Sequence, residues 1–294
     1  MIAGNTCLNK EIFNKGTKFS ESRLLEYSIV LTGLTLQLAD ILGIGFGGVT
    51  FIALQMLCTI ITCYFLGKRF GFTKRFALLM SAGNAVCGSS AIGTVAPILH
   101  ADRKDKGISI TIVNVTGTIL MVLLPILTGL LYHQETLHSS AMIGGTLQSV
   151  GQVIASASMV NGEVVEYAAI FKIVRIIFIV FVALCYTRLD CEEGKTLLTK
   201  QENHKAKVKA KIPWFVIGFF IFSILNSTGI IPSVIAAGAK LISTQFEIIA
   251  LAAIGMRVKF KDLLAEGPKA MLYGCVTGGC QIVFAILLIS IFLP

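Results

Sequence analysis

Apolar runs of ~20 residues recur along the whole chain, each long enough to span a ~30 Å hydrocarbon layer. That pattern constrains the fold more than any other feature of the sequence. A segment inside lipid must satisfy its backbone polar groups internally, so runs of this length are helices. Nine such segments can be read: Leu24–Leu42, Phe46–Leu66, Phe76–Leu99, Ile108–Leu131, Ser139–Val160, Ala168–Tyr186, Pro213–Ile231, Ser233–Met256 and Pro268–Leu293. The composition agrees, being 55% hydrophobic and 14% charged, against about a quarter charged in a soluble domain. The expectation is an all-α, polytopic membrane helix bundle, with residues 1–294 forming a single transmembrane domain. The start, Met1 to Asn5, leads into a lysine-bearing polar stretch with no secretory apolar core, so no removable signal peptide is expected.

Orientation follows from Lys and Arg, which stay on the cytoplasmic side. If every segment crosses once, four basic clusters fall on one face and hold 19 of the 25 basic residues. One of them fills the longest loop, residues 188–212, where Lys205, Lys207, Lys209 and Lys211 read as a solvated, orientation-setting stretch. The net charge of +9 therefore reflects topology, and nucleic acid is excluded as a partner. Arg103, Lys104 and Lys106 then lie outside. An alternative makes the third and fifth segments re-entrant from opposite faces and brings those three residues inside. Charge slightly favours that version; segment length favours crossing, which is the expectation adopted.

Two segments are interrupted by polar and flexible residues. The first break runs Gly83-Asn84-Ala85-Val86-Cys87-Gly88-Ser89-Ser90-Ala91-Ile92-Gly93, and a half-helix is expected from Thr94 to Leu99. The second is Gly144-Gly145-Thr146-Leu147-Gln148-Ser149-Val150-Gly151-Gln152. Non-helical backbone at bilayer depth survives only where protein or water satisfies it, and secondary transporters build substrate sites from such discontinuous helices. The candidate substrate-binding residues are Asn84, Cys87, Gly88, Ser89 and Ser90 from the first break, with Thr146, Gln148 and Gln152 from the second. Gln148 and Gln152, four apart, are expected to share a helix face. Lys172 and Arg175, three apart in an apolar segment, would supply a positive field, unless they snorkel or are neutralised by Glu163 and Glu166. Lys240 is expected to snorkel or to pair with Glu247.

Other chemistry is thinly represented. All four histidines fall in loops, no nucleophile–base pair appears inside a span, and no Walker-type loop is present, so the chain reads as a non-enzyme that does not itself use ATP. The eight cysteines form no Cys-x-x-Cys pair, so no metal site or cofactor is expected, and all but Cys87 read as small apolar fillers.

An internal repeat adds to the transporter reading. Gly33 to Leu42 with Gly45 matches Gly255 to Leu264 with Gly267 at the same spacing, 222 residues apart and inverted across the membrane.

At Asn84-Ala85-Val86-Cys87-Gly88-Ser89-Ser90-Ala91-Ile92 the chain resembles the YeiH family, bacterial inner-membrane proteins often labelled sulfate exporters. The likeness extends over Arg23–Gly45, Gly144–Val153, Lys172–Arg175 and Ala250–Gly267. It implies an inverted-repeat transporter fold, a multi-pass plasma-membrane location and an inorganic sulfur oxyanion as substrate. Two departures stand out. Many relatives carry a His-Glu pair where this chain has Gln148 and Ser149, and relatives carry further helices before the position of Met1, so an incomplete first repeat is expected. The function expected is secondary transport of a small inorganic anion, sulfate or sulfite; a passive anion channel or pore regulator is the alternative. The expected partners are that anionic solute and membrane lipid, with homo-oligomer formation left open.

Overall fold

Helices long and apolar enough to cross a membrane are found where the sequence placed them: Gly45–Arg69, Lys104–Tyr132, Gly162–Tyr186 and Pro268–Phe292 among the described residues. The structure, a computed structural model, describes residues 11–35, 44–187, 214–257 and 268–293. Most of both repeat copies and the basic loop 188–212, with Lys205–Lys211, lie outside the described residues.

The chain begins with α1 (Glu11–Phe19), a π-helical turn (Ser20–Leu24) and α2 (Leu25–Thr32). There follow α3 (Gly45–Arg69), α4 (Lys74–Ala85), α5 (Ser89–Val95) and α6 (Arg103–Tyr132). Next come α7 (Thr136–Thr146), α8 (Val150–Ser158), α9 (Gly162–Ile177) and α10 (Ile179–Tyr186). The described chain closes with α11 (Trp214–Ser227), α12 (Ser233–Arg257) and α13 (Pro268–Phe292).

Side-chain pairings fix the direction of each helix. Gln55 Nε2 of α3 donates to Gln281 O of α13 at 2.8 Å, and Cys63 Sγ lies 3.1 Å from Tyr273 OH, so α3 and α13 run antiparallel. Gly274 lies against Ile112 and Thr116, and Gly278 against Leu120, so α6 runs parallel to α13. Because α13 starts beside Phe72, with Lys269 Nζ 5.6 Å from that ring, α6 starts on the same face as α4. The charge of Arg75, in the first turn of α4, accordingly acts on Asp105, in the first turn of α6.

The α4–α5 segment therefore enters and leaves on one face; it is a re-entrant hairpin, not a crossing. Its tip turns at Val86–Gly88, where Gly88 sits at φ +65° and ψ −123°, a region open to glycine. Gly88 N donates back to Gly83 O at 2.9 Å, and Ile92 folds against Gly83. The second half-helix is Ser89–Val95, earlier than the expected Thr94–Leu99.

The α7–α8 segment mirrors this from the other face. Thr136 Oγ1 at its start donates to Glu163 Oε2 at the start of α9 (3.2 Å), and Ser140 Oγ donates to Val164 O (3.3 Å). Entry and exit thus share a face, opposite to that of the first hairpin. The expected crossing of both segments is corrected on the same ground: arms of 12 and 7 residues in the first hairpin, 11 and 9 in the second, each end in mid-slab. Each hairpin is followed by a crossing helix that leaves its own face, so hairpin–α6 and hairpin–α9/α10 are related by inversion.

Re-entry moves Arg103, Lys104 and Lys106 to the face of Lys68, Arg69, Lys74 and Arg75, and by the positive-inside rule that face is cytoplasmic. Helices α2, α11 and α12 pack beside this core, with Trp214 Nε1 donating to Glu26 Oε2 at 2.8 Å and Ser243 Oγ to Ser28 O at 3.0 Å. Lys240 of α12 pairs with Glu166 of α9 at 2.9 Å, in place of the expected Glu247.

The topology makes a direct prediction. An impermeant maleimide applied to intact cells is expected to label His133→Cys and Met159→Cys but not Lys68→Cys or Lys104→Cys, which label only in inverted vesicles. Labelling of Lys104→Cys from outside would restore the crossing arrangement.

Candidate functional site

The two hairpin tips meet at mid-membrane, and each presents the C-terminal end of its entering helix. The last carbonyls of a helix lack intrahelical donors and carry the negative end of its dipole. Inside lipid they have no water to turn to, so donors must come from side chains.

Helix α9 supplies them. Lys172 and Arg175, one turn apart on one face, are 0% and 1% exposed. Lys172 Nζ donates to Val86 O of the first tip at 2.6 Å and to Leu147 O of the second at 2.9 Å. Arg175 Nε donates to Ala85 O at 2.5 Å, and one terminal nitrogen donates to Gly145 O at 2.9 Å and Leu147 O at 2.7 Å. The other terminal nitrogen donates to Asn84 O. These two side chains tie one hairpin to the other. They do not snorkel, and Glu163 and Glu166 do not neutralise them, since those carboxylates are engaged by Thr136 and Lys240. Among the described residues no Asp or Glu is buried.

A cluster of amides lies beside the bases. Gln148 sits in the extended gap between α7 and α8, and its Nε2 donates to Asn84 Oδ1 and to Gln281 Oε1, both at 3.2 Å. Asn84 Nδ2 returns to Met80 O at 2.9 Å, and Gln281 Nε2 donates to Asn84 O at 3.0 Å. Gln148 Oε1, Gln55 Oε1 and Thr146 Oγ1 are buried with no hydrogen-bond partner among the described residues. Buried polar atoms are ordinarily paired, so three open ones around one junction mark a place able to take a ligand or water.

Gln152 is used differently from the expectation. It stands inside α8, one turn after Ser149, and the two form a capping box: Gln152 N donates to Ser149 Oγ and Ser149 N to Gln152 Oε1, each at 3.1 Å. Gln148 lies outside the helix, so the two glutamines share no helix face; they converge instead on Gly117 of α6. A methyl group there would stand 2.5 Å from Gln148 Oε1 and 2.6 Å from both terminal atoms of Gln152.

The remaining candidates divide. Thr146 and Gly88 are buried at the junction, and Cys87 is half-buried beside them, within electrostatic reach of Lys172 and Arg175. Ser89 and Ser90 are exposed in the first turn of α5, Ser90 beside Cys87. Gln55, Gln281 and Gly117 were not singled out in the sequence. The signal for the glutamines was a neutral amide inside an apolar span, a placement that calls for a partner. Cys63, read as a filler, accepts from Asn84 Nδ2, and its Sγ lies 3.1 Å from Tyr273 OH, which donates to Cys63 O. His138, read as a loop residue, lies in the first turn of α7, between Glu135 and Leu293 O.

Comparison with known proteins places this arrangement in context. The family model described as Conserved hypothetical protein 698 matches residues 1–274. A UPF0324 membrane protein of Clostridium perfringens is 57% identical over 294 residues, covering 100% of this chain and 86% of its own length. A UPF0324 membrane protein of Lactiplantibacillus plantarum is 45% identical over 294 residues, with 100% and 88% covered. One of Lactococcus lactis is 41% identical over 296 residues, with 99% and 88% covered. No solved structure matches the chain.

Two substitutions test the junction. Arg175→Met leaves Ala85 O and Gly145 O without side-chain donors and takes one donor each from Asn84 O and Leu147 O; it is expected to destabilise the protein by about 3 kcal/mol or more, read as thermal unfolding in detergent. Gly117→Ala is expected to cost about 1–3 kcal/mol in the same assay, because the hydrogen-bonded amides of Gln148 and Gln152 leave the methyl no room.

Proposed function

We infer function from one premise: this chain belongs to the Conserved hypothetical protein 698 family, the YeiH family of its sequence resemblance, and is a multi-pass membrane protein like its UPF0324 homologues. We propose that it is a secondary transporter moving a small inorganic anion, sulfate or sulfite, by alternating access. One observation carries the reading. Two hairpins entering from opposite faces meet around two fully buried basic side chains, with no buried carboxylate among the described residues.

The physics favours an anion at such a junction. A charge in the bilayer interior is expensive, and a guanidinium is always charged. Carbonyl dipoles offset part of that cost for Arg175 but supply no formal countercharge. An anionic solute does, and the open Thr146 hydroxyl can donate to it. The hairpins also supply the geometry for alternation: one tip is reached from the cytoplasm, the other from outside. A barrier that shifts from one tip to the other would expose the junction to each face in turn. As proposed, the chain breaks no covalent bond.

Purified protein in proteoliposomes is expected to take up radiolabelled sulfate or sulfite saturably and faster when the same anion is loaded inside. Gln148→Ala is expected to slow uptake about tenfold, the equivalent of one hydrogen bond of about 1.4 kcal/mol. Absence of flux across a panel of oxyanions would remove the transporter reading; flux without saturation or counterflow would assign a passive channel instead.

A further inference from the structure

Lys172 and Arg175 make the same kind of contact, yet their donor counts differ in what they allow. Arg175 directs its hydrogen bonds to carbonyls and keeps its charge whatever they do. Lys172 Nζ has two acceptors, Val86 O and Leu147 O. A neutral amine carries two N–H groups and an ammonium three. Two carbonyls therefore satisfy both N–H groups of the amine, whose lone pair stays open to a proton, and leave the ammonium with one proton unpaired, in a place that water does not wash.

The charges facing Lys172 point the same way. On its own helix the nearest is Arg175, a like charge one turn away. The first hairpin brings the Cys87 thiol, and the second brings no titratable side chain between Thr146 and Ser149. On the α3 side the packing is apolar, with Phe51 against Phe171 at 6.0 Å between ring centroids. Glu166 and Glu163 lie six and nine residues back along α9 and are engaged elsewhere. A proton on Lys172 thus adds a second positive charge opposed only by carbonyl dipoles, with no formal negative charge beside it. An oxyanion at the tips supplies both missing elements, an acceptor for the third N–H and a negative charge.

We propose that Lys172 is the proton-coupling residue of this protein: it bridges the hairpin tips as a neutral amine when no anion is bound and takes up one proton when an oxyanion binds. The proposal rests on the reading of the tips as an anion site. The balance is simple. The Nζ lone pair accepts a proton arriving from the same aqueous side as the anion. The new N–H donates to an anion oxygen. On release the proton and the anion depart together, and the amine returns to its two carbonyls. Each cycle moves one proton with each anion.

The whole protein, labelled with carbon-13 at lysine Cε, tests the first half without any ligand, the Lys172 signal being identified by its loss in Lys172→Met. At near-neutral pH that signal is expected at the amine position and is expected to move to the ammonium position on adding saturating sodium sulfate. An ammonium signal before sulfate is added overturns the proposal. In proteoliposomes holding a pH dye, sulfate entry is expected to acidify the lumen by about one proton per anion. Sulfate flux without proton flux overturns the coupling and leaves the transporter reading intact; no sulfate flux removes that reading and the coupling with it. Sulfate affinity is expected to fall about tenfold per pH unit where the free amine dominates, and Lys172→Arg, which keeps its charge, is expected to abolish that slope.

Discussion

The junction of the two hairpins depends on one interaction: side-chain N–H groups of α9 meeting the carbonyl ends of α4 and α7. A helix that stops in the middle of a bilayer leaves acceptors that lipid cannot serve. Val86 O and Leu147 O, one from each hairpin, converge on the single nitrogen of Lys172. Arg175 repeats the bridge with its broader fork, reaching Ala85 O and Asn84 O on one side and Gly145 O and Leu147 O on the other. A hairpin displaced from α9 loses the Lys172 and Arg175 donors that serve its carbonyl end.

The rest of the core makes that convergence possible. Gly88 allows the first tip to reverse, the Ser149–Gln152 capping box starts α8 cleanly after the second gap, and Gly117 lets the amides of Gln148 and Gln152 press against α6. Gln281 and Gln55 extend the polar cluster into α13 and α3. Basic side chains, amides and open acceptors are thereby concentrated where two oppositely directed hairpins meet, and the functional proposals follow from that concentration.

Much of this was legible in the residues. Glycine, amide and hydroxyl clusters inside apolar runs marked both breaks, because polar backbone at depth has few physical explanations. Lys172 and Arg175 stood out for the same reason. Their partners did not. Residue pattern offers a solute, snorkelling or Glu163 and Glu166 as their partners; the protein groups they bind are backbone carbonyls, which every residue carries and no pattern advertises. The choice between crossing and re-entry was misjudged by weighing segment length above the charges of Arg103, Lys104 and Lys106; the outward arm of each hairpin is too short to cross, but the helix boundary that shows this is a tertiary fact. Gln55 and Gln281 were passed over because a single amide in an apolar helix looks the same whether it faces a partner 226 residues away or a neighbouring turn.

The sequence by itself determined the solvent, the class and the sites of interruption: apolar length demands lipid, lipid demands helices, and breakers with polar side chains demand a shielded place. Only the tertiary structure decided that the interruptions are hairpin tips from opposite faces, and that two bases of a third helix hold them together. The reason is that hydropathy and charge are properties of residues along a line, while the pairing of a carbonyl end with its donor depends on which helices share a direction and a depth.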